Sequence, residues 1–233
     1  MLLKKPSPLF LIHILTALGA PLALLALIAG AEKNLPLMLF WLWVALIVDG
    51  LDGPLARKYN VKDKLPRWDG VILDLVIDYA TYVFLPAFAL YQSGLLSPLW
   101  SIICGVVIVF SGAIYFADNN MKTANGGFSG FPGVWNMVIV VLIALQSSPV
   151  WILFMVALCT ALTFLPVHFV HPVRTVRWRS LTLGILAIWC ISLAYTLSVD
   201  FLVPTFVTIF IIVTSIYLFI AGAVQQLLDR WLK

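Results

Sequence analysis

The sequence predicts an all-α fold, a polytopic bundle of transmembrane helices, and three observations support this class. Of the 233 residues, 63% are hydrophobic and only 10% are charged, and the mean hydropathy is +1.07. A soluble domain of average composition would carry about 25% charged residues. The apolar residues also fall in runs close to the roughly 20 residues that a helix needs to cross a bilayer of about 30 Å. We therefore expect an integral membrane protein, with residues 1–233 forming a single domain.

Eight apolar runs follow one another along the chain and predict about eight spans. They lie near residues 9–29, 35–51, 70–91, 96–117, 132–146, 149–169, 181–199 and 202–227. The fifth run is short for a bilayer, and a glycine-rich loop that includes Gly133 leaves its start open. If the fifth and sixth runs form a broken pair, the chain crosses the membrane six or seven times.

The basic residues predict the orientation, because cytoplasmic loops carry an excess of Lys and Arg. With a cytoplasmic N-terminus and alternating spans, thirteen basic residues lie on the cytoplasmic side and only Lys33 lies on the other. The thirteen are Lys4, Lys5, Arg57, Lys58, Lys62, Lys64, Arg67, Lys122, Arg174, Arg177, Arg179, Arg230 and Lys233. Topology and anionic lipid then explain the net charge of +4, which gives no reason to expect a nucleic-acid partner.

Four aspartates stand at the ends of apolar runs, where ionisable groups are costly and usually functional. Asp49 and Asp52 are three residues apart, and Asp74 and Asp78 are four apart, so each pair lies on one face of its helix. Two such helices facing each other would bring four carboxylates together. Two further aspartates fall in the basic loop, and we expect them to cap helices or pair at the surface; they are Asp63 and Asp69.

Four carboxylates in one pocket repel one another unless cations compensate them. Hard divalent cations prefer oxygen ligands, and Mg²⁺ or Mn²⁺ also binds phosphate oxygens. Small residues beside the carboxylates would let a phosphate-bearing ligand approach the backbone closely. The sequence therefore predicts a site for two Mn²⁺ or Mg²⁺ ions that serves transfer of a phosphoryl-type group.

The aspartates belong to a longer pattern of eight residues. These are Asp49, Asp52, Gly53, Ala56 and Arg57, followed after twelve residues by Gly70, Asp74 and Asp78. The pattern resembles the signature of the CDP-alcohol phosphotransferases, membrane enzymes that move a phosphatidyl-type group from a CDP-linked donor onto an alcohol. The twelve-residue gap and the stretches 118–136 and 171–179 are similar to the phosphatidylcholine-forming branch of that family, so the resemblance covers most of the chain.

The resemblance implies a reaction and a role for each residue. CDP-diacylglycerol and choline would give phosphatidylcholine and CMP, in a bacterial inner membrane with the site facing the cytoplasm. Asp49, Asp52 and Asp74 would hold the two metal ions across the pyrophosphate, and Asp78 would complete the site and act as general base. The other expected substrate-binding residues are Gly53, Ala56, Arg57, Gly70, Lys122 and Arg174. The family also suggests a six-helix core with extra helices and a homodimer.

The expected choline pocket rests on a chemical argument. A quaternary ammonium offers no hydrogen bond at its nitrogen, and aromatic faces are its usual partners. The loop that faces the site offers aromatic rings beside a carboxylate, and we expect Tyr115, Asp118 and Trp135 to form the pocket. Further aromatic candidates near polar loops are Tyr79, Tyr82, Phe116 and Phe128.

Two alternatives remain open at this point. In the near alternative, an enzyme of the same fold uses serine, inositol or glycerol phosphate as the acceptor instead of choline. A phosphorylated acceptor would need cationic partners in the site. A divalent-cation transporter is the distant alternative, since aspartates within a membrane also line ion paths. It predicts carboxylates near the middle of the membrane, whereas the cluster lies at the basic border.

Overall fold

The structure is a computed structural model that describes residues 8–231, and it confirms the predicted all-α class. Within that range, six helices are long and apolar enough to cross a membrane. They are Phe10–Ala31, Leu35–Lys58, Gly70–Gln92, Pro98–Phe116, Arg179–Ser198 and Thr205–Trp231. Two shorter apolar helices, Trp135–Ala144 and Pro149–Thr163, lie between the fourth and the fifth. Three of the basic residues that were counted in predicting the orientation lie outside the described residues: Lys4, Lys5 and Lys233.

The helices are labelled in chain order. The first span comprises α1 (Phe10–Ala17) and α2 (Gly19–Ala31), the second is α3 (Leu35–Lys58), and α4 (Val61–Lys64) is a short helix in the basic loop. The third span has three parts, α5 (Gly70–Asp78), a π-helical turn (Tyr79–Phe84) and α6 (Leu85–Gln92). The remaining helices are α7 (Pro98–Phe116), α8 (Trp135–Ala144), α9 (Pro149–Thr163), α10 (Arg179–Ser198) and α11 (Thr205–Trp231).

Local sequence explains where the helices that carry the aspartates begin. The Asn34 side chain caps α3 by accepting a hydrogen bond from the Leu37 N–H at 3.1 Å. The Asp69 carboxylate caps α5 by accepting from the N–H groups of Val71 and Ile72, at 2.9 and 3.2 Å. Asn and Asp are preferred at this position because their oxygens satisfy the free N–H groups of the first turn. Asp69 is therefore a helix cap, as expected.

The two shorter helices have different reasons for their length. The ten residues of α8 span about 15 Å, and most of them are buried among α6, α11 and the π turn. A helix that is apolar all round is suited to such a central place and needs no lipid-facing length. The sixth predicted span, 149–169, is too long, because α9 ends at Thr163. Pro166 disfavours helical backbone at the preceding residue, and the chain beyond it is extended.

The two polar loops are joined by a small antiparallel ribbon. Strand β1 (Phe128–Ser129) pairs with β2 (His168–Phe169), with Phe128 opposite Phe169 and Ser129 opposite His168. The loops approach each other closely: a Cβ at Gly127 would lie only 2.6 Å from the Phe169 carbonyl oxygen. The ribbon therefore holds the loop 117–134 and the loop 164–178 together at one end of the bundle.

Helix α1 lies between the two helices that carry the aspartates. It packs against both α3 and α5, while α2 packs along α3. Gly19, at the start of α2, touches the Ile77 side chain so closely that a Cβ would collide with it. Helices α10 and α11 form a hairpin, in which α10 packs on α3 and α11 packs on β2. The aspartates thus lie inside the bundle, near the end where the ribbon lies.

Candidate active site

Three of the four predicted aspartates form one compact group. Asp49 of α3 and Asp74 and Asp78 of α5 each offer a carboxylate oxygen, and these oxygens lie within 4.8 Å of one another. All three side chains are partly buried. Oxygen ligands from several carboxylates are the donors that hard divalent cations prefer, so the group can hold a metal ion. We call it the aspartate cluster.

Asp52 lies in the same cleft but outside the aspartate cluster. It is only 4% exposed, and its carboxylate lies against the hydroxyl of Thr16 on α1. The lining of this cleft includes Thr16 and all four aspartates. A buried carboxylate needs a hydrogen-bonding or cationic partner. Sequence reasoning missed Thr16, although a polar residue inside an apolar run was a usable signal.

The π turn places a tyrosine hydroxyl against the aspartate cluster. The Tyr82 hydroxyl donates a hydrogen bond to Asp49 Oδ2 at 2.5 Å, and Tyr82 is buried. The Tyr79 hydroxyl, on the same turn, instead donates to the Val109 carbonyl oxygen at 3.1 Å. Groups that hydrogen-bond a metal-binding carboxylate fix its orientation. Tyr82 was considered only as an aromatic candidate, because its proximity to Asp49 depends on the π-helical geometry.

Three cations interact with the carboxylates of the cleft. Arg174 interacts electrostatically with all three members of the aspartate cluster. Lys122 interacts with Asp74 and Asp78, and Arg57 with Asp52 and Asp74. Loss of hydration and the positive charge of Arg174 lower the pKa of Lys122. We call Arg57, Lys122 and Arg174 the cation cluster.

His171 lies beside the cation cluster and stays uncharged. Its ring stacks on Phe128 with centroids 5.4 Å apart and planes at 7°. The Val173 N–H donates to His171 Nδ1 at 3.3 Å, so this nitrogen is an acceptor. Burial, together with the nearby charges of Arg174, Arg57 and Lys122, lowers the pKa of His171 to about 3. His171 therefore adds no positive charge to that of the cation cluster.

The small residues of the signature lie next to other side chains of the protein. A Cβ at Gly53 would lie 3.2 Å from Arg57 Nη1, and one at Gly70 would lie 3.1 Å from His13 Cε1. Ala56 is half-buried on α3. Gly53 and Gly70 thus make room for a guanidinium and an imidazole. Their expected contact with a nucleotide stays a prediction.

The predicted choline residues lie in different environments. Tyr115 is 4% exposed and Trp135 is fully buried, where its ring packs on Phe131 with centroids 5.1 Å apart. Tyr115 Oη and Trp135 Nε1 have no hydrogen-bond partner within residues 8–231. Asp118 is exposed and accepts a hydrogen bond from the Asn120 N–H at 2.7 Å, yet it interacts electrostatically with Tyr115. The pocket stays a prediction.

Fold and site together define the class: an integral membrane protein whose cleft combines carboxylates and cations suited to phosphate chemistry. The sequence profile described as CDP-alcohol phosphatidyltransferase matches residues 8–167, and the chain belongs to this family. The protein is therefore a membrane phosphatidyltransferase, which confirms the expected family and enzyme class.

Curated relatives agree along most of the chain. The phosphatidylcholine synthase of Rhizobium meliloti is 49% identical over 221 residues, which cover 95% of this chain and 92% of that protein. The phosphatidylcholine synthase of Pseudomonas aeruginosa is 43% identical over 78% of this chain and 76% of its own length. That of Borreliella burgdorferi is 32% identical over 78% of each.

Proposed function

We propose that this protein converts CDP-diacylglycerol and choline to phosphatidylcholine and CMP. One observation carries the proposal: the aspartate cluster and the cation cluster interact within one cleft, a combination suited to a diphosphate with divalent ions. The names of the relatives in Rhizobium meliloti and Pseudomonas aeruginosa support the choice of choline. The protein would act as a single domain in the bacterial inner membrane.

The metal ions would be held by Asp49, Asp74 and Asp78, with Asp52 as a further ligand from the same cleft. Bound Mn²⁺ or Mg²⁺ neutralises phosphate oxygens and stabilises the charge that develops on the leaving group. The Tyr82 hydroxyl would keep Asp49 oriented toward the ions. We propose two ions, because four carboxylates supply more oxygens than one small cation needs.

The cation cluster would bind the diphosphate of the donor. Arg174 and Arg57 present planar forks that match phosphate oxygens, and Lys122 adds a point charge. Gly53, Ala56 and Gly70 would allow the nucleotide to lie close to α3 and α5. The two acyl chains would stay in the bilayer, so that the reaction is limited to the membrane surface.

Asp78 would act as the general base. It takes the proton of the choline hydroxyl while the choline oxygen attacks the phosphorus that carries diacylglycerol. The bond from that phosphorus to the CMP oxygen breaks, and CMP leaves. Tyr115 and Trp135 would contact the trimethylammonium group of choline through their aromatic faces. Asp118 would contribute negative charge near the trimethylammonium group.

The cytoplasm is the side proposed for the cleft. The end of α3 that carries Arg57 and the loops that carry Lys122 and Arg174 lie on the side that the basic residues predict to be cytoplasmic. A CDP-linked donor is made in the cytoplasm, so the topology fits the chemistry. The homodimer stays a prediction.

A single assay tests the acceptor. Purified protein with CDP-diacylglycerol and Mn²⁺ is offered labelled choline, serine, inositol or glycerol 3-phosphate in parallel. We expect labelled lipid from choline, with CMP released in equal amount. Vigorous transfer to another alcohol and none to choline would overturn the proposed acceptor but leave the family membership intact.

A further inference from the structure

The last turns of α11 pack against the loop that carries Arg174, beyond the residues 8–167 that the family profile matches. Gly222 touches the backbone of β2: a Cβ there would lie 2.5 Å from Phe169 Cα and collide with the His168 carbonyl oxygen. Only a residue without a side chain permits this approach. Helix α11 is thus seated directly on the ribbon.

Two neighbouring glutamines then hold this loop at both ends. The Gln226 amide donates to the Pro166 carbonyl oxygen at 2.9 Å and accepts from the His168 N–H at 3.1 Å. Gln225 is only 2% exposed, and its amide donates to the Arg177 carbonyl oxygen at 3.2 Å. The segment between these anchors contains Arg174.

Arg174 itself has few fixed contacts of its own. Its Nε is buried without a hydrogen-bond partner within residues 8–231, and its carbonyl oxygen accepts from Arg179 Nη2 at 3.2 Å. Among those residues, Arg174 forms no ion pair within 4 Å, whereas the nearby Arg177 pairs with Asp229. Its position therefore depends on the backbone that carries it.

We propose that Gln225 and Gln226 are positioning residues that hold Arg174 at the cleft for the diphosphate of a nucleotide-linked lipid donor. The proposal rests on the proposed function of the same site. A glutamine amide is suited to this task because it donates and accepts at once and adds no charge beside the guanidinium. The surface pair of Arg177 and Asp229 adds little, since such pairs are weak.

The test replaces each glutamine by methionine, which has a similar shape but no amide. Gln92→Met is the matched control, because the Gln92 amide also donates to a distant carbonyl oxygen, that of Gly30, at 2.8 Å. That bond lies at the other end of the bundle. For Gln226→Met we expect the KM for CDP-diacylglycerol to rise about fivefold, as for loss of one or two neutral hydrogen bonds. The KM for choline and the kcat should stay unchanged.

Two further measurements separate positioning from a general loss of structure. Arg174→Ala should raise the donor KM by about tenfold or more, and adding Gln226→Met to it should have little further effect. Donor-induced thermal stabilisation should need about fivefold more CDP-diacylglycerol in Gln226→Met than in wild type. This second readout needs no acceptor, so it stands even if choline proves to be the wrong alcohol.

Three results would overturn the proposal. The first is that the effects of Gln226→Met and Arg174→Ala on the donor KM are additive. The second is that Gln226→Met raises the KM values for CDP-diacylglycerol and choline equally and that Gln92→Met does the same. The third is that the donor KM is unchanged in Arg174→Ala. Failure of wild type to use choline would instead count against the proposed function.

Discussion

The carboxylates and the cations of the cleft are held in two different ways. Asp49, Asp74 and Asp78 project from regular helices, where a spacing of three or four residues fixes their direction. Lys122 and Arg174 instead come from loops whose backbone is fixed by the β1–β2 ribbon and by α11. The aspartates and Arg57 of α3 thus depend on local helical geometry, whereas Lys122 and Arg174 depend on contacts between distant parts of the chain.

This difference implies that the two sides respond differently to mutation. A change on the acidic side should act at the substituted residue alone, because the helix backbone stays in place. A change in the ribbon or in α11 should act at a distance, through the position of Arg174. The predictions below test this contrast, from the largest expected effect to the smallest.

The largest effect is expected from neutralising Asp49, Asp52 or Asp74. Each Asp→Asn variant should abolish transfer, a loss well beyond the about 10–100-fold typical when only a ligand's partner is removed. Chelation should inactivate the wild type, and Mn²⁺ or Mg²⁺ should restore it. Initial rates with purified, folded protein measure this. Asp69→Asn is the control, since asparagine also caps a helix. Near wild-type turnover in any cleft variant would exclude that residue as a ligand.

Asp78→Asn should separate proton transfer from metal binding. We expect turnover to fall about 10²–10⁴-fold while CDP-diacylglycerol still binds, because the proton acceptor is lost. Single-turnover rates and donor binding should be measured on the same preparation. If donor binding falls as far as in Asp52→Asn, Asp78 is chiefly a metal ligand, as its place in the aspartate cluster permits.

Tyr82→Phe tests whether metal binding by the aspartate cluster also depends on the hydrogen bond that Tyr82 donates to Asp49. It removes the hydroxyl that donates to Asp49, and the Mn²⁺ concentration for half-maximal activity should rise about tenfold. Metal titrations of activity measure this. Tyr79→Phe is the matched control, because that hydroxyl on the same π turn donates to a backbone carbonyl oxygen. Equal shifts in both variants would point to disturbance of the turn itself.

Tyr115→Ala tests the acceptor pocket on the loop side. The KM for choline should rise about tenfold, the effect of one or two cation–π contacts, with the donor KM little changed. Trp135→Phe is the companion variant, because it removes Nε1 while it keeps most of the packing on Phe131. Tyr195→Ala, at an exposed position on α10, is the control. Equal losses toward both substrates would indicate misfolding instead.

The last prediction concerns His171, and its effect appears in stability and not in rate. Its folded pKa of about 3 lies below the unfolded value of about 6.5, so the unfolded chain binds more protons between these values. Wild type should therefore lose stability as the pH falls from about 6.5, at up to roughly 1.4 kcal/mol per pH unit. His171→Asn should lose less over that range. Melting temperatures of wild type and His171→Asn are measured in detergent from pH 7 to pH 4. An equal fall of the two melting temperatures over this range would contradict the prediction.

The sequence predicted the residues of the cleft better than the contacts that hold them in place, for a physical reason. Spacing and position at apolar borders identified the four aspartates, because these features are local. The contacts of Gln226 and Tyr82 could not be predicted in this way. One depends on a ribbon that joins distant loops, and the other on a π turn inside an apolar run.

The same limit explains the error in the sixth span. Residues 164–169 are largely apolar and continue the pattern of α9, so hydropathy extends the helix through them. Their contacts with β1 and with Gly222 are made by segments far away in sequence. Tertiary pairing therefore decided their conformation.

The π turn at Tyr79–Phe84 has a consequence for comparisons between related chains. A π turn accommodates about one more residue than an α turn. Deletion of one residue within it would let the segment become α-helical while α5 and α6 keep their relative orientation, so that only residues of the turn, Tyr82 among them, change position. Such a chain would keep all eight signature residues in their spacing. A single-residue gap in an alignment at this turn would therefore mark a relative whose Asp49 has a different hydroxyl donor or none.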